Sequence, residues 1–358
     1  MKAVLLCAGQ GTRLRPLTHC RPKHLLPVAG RAVIDRVLSS LADAGVDESV
    51  LVVSPQETAL QEFIGDGSQW GMAAHFCVQP EPLGLAHALQ CACGHVSEDE
   101  RFLMYLGDDL LGDGVTDFAR GFLSSDAAAS LIVKPVEDPR AFGVVVVEDG
   151  RVTRLVEKPE NPPSDLAIVG VYGFGPEIWE AIDAIEPSAR GELEITDAID
   201  LLVRTDRRVE YHVSDGFWAD AGSPGALLAA NAFFLGRETH RIDGSVDGAS
   251  VIDGNVVVSA GASVIGSTII GPCAIGADCV IEDSRLGPNV AVGEGCVLRD
   301  VEVQESIIDD GTRLEDLRPM LRECVLGRNV RISGGYPATS GPMSLLLADE
   351  STICPWRA

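Results

Sequence analysis

The chain has 358 residues, 46% of them hydrophobic, enough for roughly two domains with buried cores at about 150 residues each. This excludes a disordered or fibrous polymer, and the formal charge of −25 (28 Lys and Arg against 53 Asp and Glu) excludes a general nucleic-acid binder, which needs a basic face. Ten scattered cysteines with no C-x-x-C pair, an apolar run Ala3–Ala8 too short for a signal peptide and no stretch near the roughly 18 apolar residues of a membrane helix predict a reduced, cytoplasmic protein with no membrane partner.

Residues 1–36 carry Lys2, Arg13, Arg15, Arg21, Lys23, Arg31 and Arg36 against Asp35 alone, a net of +6 that leaves −31 for the remainder. So compact a basic segment is either an anion site or a clustering of charge on a solvated loop. Val4–Leu6 reads as the opening strand, and Val33, Ile34, Val37, Leu38 and Leu41 mark a helix by their spacing. Strands follow at Val50–Val53, Phe102–Leu106, Ser130–Val133 and Val144–Val147, with a second helix at Ala86–Ala92. Strands alternating with helices predict an α/β domain over residues 1–240. Its largely parallel sheet is covered on both faces and takes ligands at the strands' carboxyl ends.

Beyond residue 245 the period changes. Ile265, Ile270, Ile275, Ile281, Leu286, Val292, Leu298, Val303, Ile308 and Leu314 recur every five or six residues, which neither a helix nor a single strand produces. Three such steps make a coil of about 16–18 residues, the signature of a triangular parallel β-helix, here over residues 245–335. Gly266, Gly271, Gly276, Gly287, Asn289 and Gly293 are its predicted corners, and Cys273, Cys279 and Cys296 small hydrophobes near its interior. The Gly/Pro-rich stretch 334–342 reads as a linker to a C-terminal tail, 336–358.

The opening strand runs into Gly9, Gln10, Gly11, Thr12 and Arg13, a tight strand-to-helix turn whose backbone N–H groups could approach a phosphate while Arg13 and Lys23 add charge. Leu14 replaces the third glycine of a dinucleotide fingerprint and no Walker loop occurs, so neither of those sites is supported. Asp108 and Asp109 follow a buried strand and Asp220 precedes a glycine. Two carboxylates from separate loops can hold one Mg²⁺ with phosphate oxygens, or they can serve as turn and helix caps. Only four lysines occur, Lys2, Lys23, Lys134 and Lys158, so Lys23 and Lys158 persist against an arginine bias, either for a compact ammonium or as solvated surface charge.

Taken together, Gly9–Thr18, Arg21–Lys23, Gln79 with Pro82–Ala88, Tyr105–Asp108, Ala141–Val144, Glu157–Pro159, Gly191–Ala198 and Asp220 resemble the sugar nucleotidyltransferases, and among them the long-form thymidylyltransferases. The resemblance implies a Rossmann-like domain with a mixed, mostly parallel sheet, followed by a left-handed parallel β-helix. It also implies Mg²⁺-dependent transfer from a nucleoside triphosphate, dTTP in that group, to a sugar 1-phosphate, in a homo-oligomer. Carried over by residue, Leu6, Ala8, Gly9, Gly11, Thr12, Arg13, Gln79, Pro82, Gly84 and Asp108 would bind the nucleotide. Gln79 and the Gly84 backbone would read the pyrimidine edge. Asp108 and Asp220 would bind Mg²⁺; Arg13, Lys23 and Lys158 would act on the phosphates; Asp109, Gly143, Glu157, Lys158, Val169, Tyr172 and Thr196 would hold the sugar phosphate.

That chemistry needs no general base, because the sugar phosphate oxygen is already ionised and the barrier is the meeting of anions. Three departures bear on it: Asp109 and Ala221 stand where the family has asparagine and threonine, and His24 where it has glutamine, either altering phosphate contacts or sitting as a neutral surface histidine. Other nucleotides (UTP, GTP or ATP) and other sugar or cyclitol phosphates are alternatives within the reaction. Acyl transfer by the β-helix ordinarily uses a histidine, and the last is His240. A catalytically silent subunit is disfavoured by the joint presence of Arg13, Lys23, Asp108, Lys158 and Asp220.

Overall fold

The computed structural model describes residues 1–334 and 341–354. The chain folds as two compact units, one of Met1–Gly9 with Ile34–Trp218, the other of Gln10–Val33 with Ala219–Ala358.

The first unit is built on β1 (Lys2–Leu6), which pairs in parallel with β2 (Glu48–Val53) on one side and with β4 (Phe102–Leu106) on the other; β3 (Ala73–Val78) extends the sheet beyond β2. Apolar runs buried on both faces explain the parallel centre: Val4, Leu5, Val50, Leu51, Val52, Leu103 and Met104 are all inaccessible to solvent. A short strand β5 (Asp109–Leu111) follows β4. Beyond β4 the sheet turns antiparallel. β9 (Leu166–Phe174) pairs with β4, with β6 (Ala129–Pro135) and with β7 (Gly143–Glu148), β8 (Arg151–Glu157) closes that edge, and β10 (Val209–Val213) lies parallel to β6. The sheet is therefore mixed, with helices Val33–Asp43, Leu85–Cys91, Glu177–Ala184 and Ile195–Arg204 among its connections. A core of Val4, Leu89, Phe102, Met104, Phe174 and Ile199, among others, fills the first unit.

The second unit contains the glycine-bearing segment, a helix at Pro224–Arg237 and the β-helix. Three sheets of parallel strands form its faces, and Val256, Cys273 and Val290 stack in register at intervals of 17 residues. The all-parallel faces match the left-handed β-helix expected. Two inward positions differ from the predicted set: Ile265 is 41% exposed and Ile270 half-buried, whereas Val264 and Ile269 are wholly buried. Strand side chains alternate, so a one-residue offset exchanges inside for outside. Cys273, Cys279 and Cys296 are buried, and the Cys279 and Cys296 thiols donate to the carbonyls of Gly293 (2.9 Å) and Asp309 (3.2 Å). The predicted linker falls largely on residues 335–340, outside the described residues, as does the end of the predicted tail, 355–358. Leu346–Leu347 and Thr352–Ile353 continue two of the faces.

The glycine segment departs from a strand-to-helix turn. Three short 3₁₀ turns, Thr12–Leu14, Leu17–His19 and Lys23–Leu25, come before any α-helix, because Pro16, Pro22 and Pro27 interrupt the backbone. Helix Pro224–Arg237 begins at Ser223, whose Oγ accepts from the Ala226 N–H, with proline in its first turn. From that helix the buried Asn231 accepts the Ala29 N–H at 2.9 Å and donates to the Asn289 carbonyl at 3.2 Å, joining the segment to the β-helix. Arg21 makes a second link. Its Nη2 donates to Asp309 Oδ2 and lies 3.2 Å from Asp349 Oδ1, with only 6% of the side chain exposed.

Candidate active site

In the first unit, β1 and β4 run in register, Leu6 opposite Leu106, and end together, so the Gly107 N–H donates to the Leu6 carbonyl at 3.0 Å. This parallel pairing sets Leu6, Ala8 and Gly9 beside Asp108 and Asp109 at the carboxyl ends of the strands. Gly9 is exposed, while Asp108 and Asp109 are buried to 8% and 3% exposure. The Asp109 carboxylate accepts from Trp218 Nε1 at 2.8 Å and occupies the space that a side chain at Gly170 would need, a Cβ there lying 2.0 Å from Asp109 Oδ2.

A second group surrounds Glu157. Its Oε2 accepts from Thr196 Oγ1 at 2.9 Å, and its Oε1 faces Lys158 Nζ at 3.1 Å and Arg190 Nη1 at 3.6 Å. Lys158, the first residue past β8, has a left-handed φ of 38°, and its ammonium lies beside the Glu157 carboxylate. Gly143 is required opposite them: a Cβ there would lie 2.6 Å from Thr196 Cγ2 and 3.1 Å from Glu157 Oε2. Tyr172, buried and stacked on Phe174, has its phenol pKa pushed up by burial and then by the charges of Glu157 and Asp109, so it remains a neutral hydroxyl. Val169 is wholly buried in β9.

Sequence reasoning misses Arg190, although it stands next to the Gly191–Ala198 motif. Burial acts to lower its pKa, but the carboxylates of Glu194, Glu192 and Glu157 outweigh this and keep it charged. The only available signal is an arginine between Ser188 and two following glutamates, a pattern shared by many surface loops.

Of the residues expected to meet the nucleotide, Gln79 is 6% exposed and contacts the loop that ends at Gly84. Gln79 Nε2 lies 3.1 Å from both the Gly84 carbonyl and His87 Nδ1. Gly84 has φ +107°, and a Cβ there would strike the Leu193 carbonyl oxygen at 2.4 Å, so glycine is required by both backbone and space.

In the second unit, Gly11 adopts φ +60° and its carbonyl accepts from Thr18 Oγ1 at 2.8 Å; Thr12 and Arg13 are exposed and Lys23 is half-buried. Arg13 Nη2 donates to Asp220 Oδ2 at 3.1 Å, while Asp220 Oδ1 accepts the Gly222 N–H at 2.9 Å. His24 is not a surface residue. It is wholly buried, neither ring nitrogen has a hydrogen-bond partner among the described residues, and burial, with the neighbouring Lys23 charge, holds its pKa well below 6.5.

Among the described residues no group of three or more His, Cys, Asp or Glu side chains is arranged to hold a metal by itself. Asp108 in the first unit and Asp220 in the second each carry the hard oxygen donors that Mg²⁺ prefers. Among the described residues no helix is long and apolar enough to cross a membrane.

An α/β sheet with phosphate-compatible loops at its carboxyl edge, joined to a β-helix, describes a nucleotide-handling transferase. Residues 2–237 match the nucleotidyl transferase family, and the chain belongs to that family. It is 40% identical to a glucose-1-phosphate thymidylyltransferase of Streptomyces griseus over 98% of both chains, and equally to one of Streptomyces antibioticus over 99% of both. A Bacillus anthracis crystal structure assigned as a glucose-1-phosphate thymidylyltransferase, in complex with a sucrose, superposes with a TM-score of 0.62 at 30% identity, covering 68% of this chain and 97% of that one.

Proposed function

We propose that the chain transfers a nucleotidyl group from a nucleoside triphosphate to a sugar 1-phosphate, with dTTP and glucose 1-phosphate giving dTDP-glucose and pyrophosphate. The observation that carries this reading is the Glu157 group, where a carboxylate and the Thr196 hydroxyl suited to sugar hydroxyls adjoin the Lys158 and Arg190 cations suited to a phosphate. The names of the Streptomyces relatives point to the same substrates.

In this reading Gly9, Gly11, Thr12, Arg13 and Lys23 receive the triphosphate, with Leu6, Ala8, Gln79, Pro82, Gly84 and Asp108 around the nucleotide. Asp109, Gly143, Glu157, Lys158, Val169, Tyr172 and Thr196 hold the sugar phosphate. An ionised oxygen of the sugar phosphate attacks the α-phosphorus in line. The new P–O bond forms as the bond to the β-phosphate bridging oxygen breaks, and that oxygen leaves with the electron pair on pyrophosphate. No proton has to be removed first, so the side chains supply position and positive charge. Mg²⁺ held by Asp108 and Asp220 would neutralise phosphate charge.

A panel of nucleoside triphosphates and sugar phosphates, scored by pyrophosphate release, tests the reading. The dTTP and glucose 1-phosphate pair is expected to lead; the absence of release from every pair would refute it. A second reading keeps the reaction but changes the sugar, favoured by the carboxylate of Asp109 where the family places an amide. We further propose that residues 1–240 carry catalysis in the cytoplasm, with residues 336–358 as a tail. The β-helix, 245–335, would assemble the chain into a homo-oligomer, which light scattering on the full chain would detect; a monomer would overturn that proposal.

A further inference from the structure

Gln79 is an ambiguous reader, because an amide can offer either its oxygen or its nitrogen to a base. Here the choice is made by two acceptors. The Gly84 carbonyl can only accept, so the amide atom 3.1 Å from it is the nitrogen. The second N–H of that nitrogen points to His87 Nδ1, also at 3.1 Å, which requires an unprotonated Nδ1 and places the ring proton on Nε2, toward Cys91 Sγ at 4.0 Å. Both amide donors are thereby used, and among the described residues Gln79 Oε1 has no hydrogen-bond partner. The Gly84 N–H is likewise without one. An outward acceptor beside an outward donor complements a base edge that offers a ring N–H next to a carbonyl, as thymine, uracil and guanine do. Cytosine and adenine present a bare ring nitrogen there and would meet the acceptor with a lone pair.

We propose that His87, one helical turn beyond the base-reading loop, is a specificity-determining positioning residue that locks the Gln79 amide with its oxygen outward, so that the protein selects bases with a ring N–H. This rests on the nucleotide reading of the Gln79 pocket given above. Without the Nδ1 acceptor, the amide is held by Gly84 alone and gains freedom to present nitrogen.

The test compares wild type with His87→Leu and His87→Asn, the asparagine oxygen standing where Nδ1 stood. Affinities for dTTP and dCTP are measured by calorimetry with Mg²⁺, alongside turnover and thermal melts. The dTTP over dCTP preference should fall by about tenfold in His87→Leu, as expected for one hydrogen bond, and persist in His87→Asn. In a Gln79→Ala background, His87→Leu should change the preference no further. An unchanged preference in a folded His87→Leu protein overturns the proposal, as does a further fall in the Gln79→Ala background or a wild-type preference for dCTP. Because binding is read separately from turnover, dTTP selection without pyrophosphate release would sink the proposed reaction alone. Full turnover with an unaltered preference in His87→Leu would sink the His87 assignment alone.

Discussion

Replacing Arg21 by methionine removes the charge that the second unit buries between its glycine segment and the β-helix. Arg21 and Asp309 are 6% and 4% exposed, Asp349 lies 3.2 Å from the guanidinium, and Arg21 Nε and Nη1 have no hydrogen-bond partner among the described residues. Burial raises the Asp309 pKa above its ordinary 3.8 even against the field of Arg21. Arg21→Met therefore leaves the buried Asp309 carboxylate to the Asp310 N–H at 2.8 Å and the half-exposed Arg328, whose Nε lies 3.9 Å away, and breaking such a pair costs about 3–5 kcal/mol. A carboxyl group whose folded pKa is raised binds more protons in the folded state, so its contribution to stability falls as pH rises above 3.8. Removing Arg21 raises that pKa further and deepens the fall. Urea denaturation should show the full loss near neutrality and a smaller one in acid, because burial makes Asp309 take up its proton at a pH above 3.8. Adding Asp309→Leu should recover most of it, since an apolar pair can replace a buried ionic one. A loss under about 1 kcal/mol for Arg21→Met, or no recovery in the double variant, would refute the reasoning.

His24 makes the opposite pH prediction. Its folded pKa is depressed, so the unfolded chain takes up a proton as pH falls through 6.5 while the folded one does not, and stability is lost from there downward. His24→Leu should flatten that loss in melting curves, and identical pH profiles would contradict the assignment. Gly84→Ala forces a Cβ against the Leu193 carbonyl at positive φ, a strain of about 1–3 kcal/mol, and should weaken dTTP binding at least tenfold by calorimetry. Asp109→Asn keeps the oxygen that accepts from Trp218 but removes a charge from the proposed sugar site. The KM for glucose 1-phosphate should fall by up to about tenfold with an unchanged melting temperature, and equal KM values would remove Asp109 from sugar selection.

The parallel centre of the sheet is legible because its strands are continuous apolar runs, and the pattern places Phe102–Leu106 to the residue. β3 is not, since Ala73–Val78 mixes small, polar and exposed residues on a half-covered edge. The β-helix is legible through its period, although the inward choice between Val264 and Ile265 depends on register that spacing leaves open. Among the candidate site residues, family resemblance alone groups Gly143, Glu157, Lys158 and Thr196, and the structure assembles them around one carboxylate. Residues that act through others are hidden. Arg21 looks like one more cation of a basic segment, and His87 one more polar residue on a short helix. Their partners, Asp309 and Gln79, become visible only when the chain is folded.

The most direct test of the account follows the phosphorus atoms of dTTP carrying label at either the α or the γ position, with glucose 1-phosphate and Mg²⁺. The α label should appear in dTDP-glucose and the γ label in pyrophosphate, at rates that collapse in Lys158→Ala. Recovery of the γ label as inorganic phosphate, or an α label that never reaches the sugar nucleotide, would show that the residues gathered here perform some other reaction.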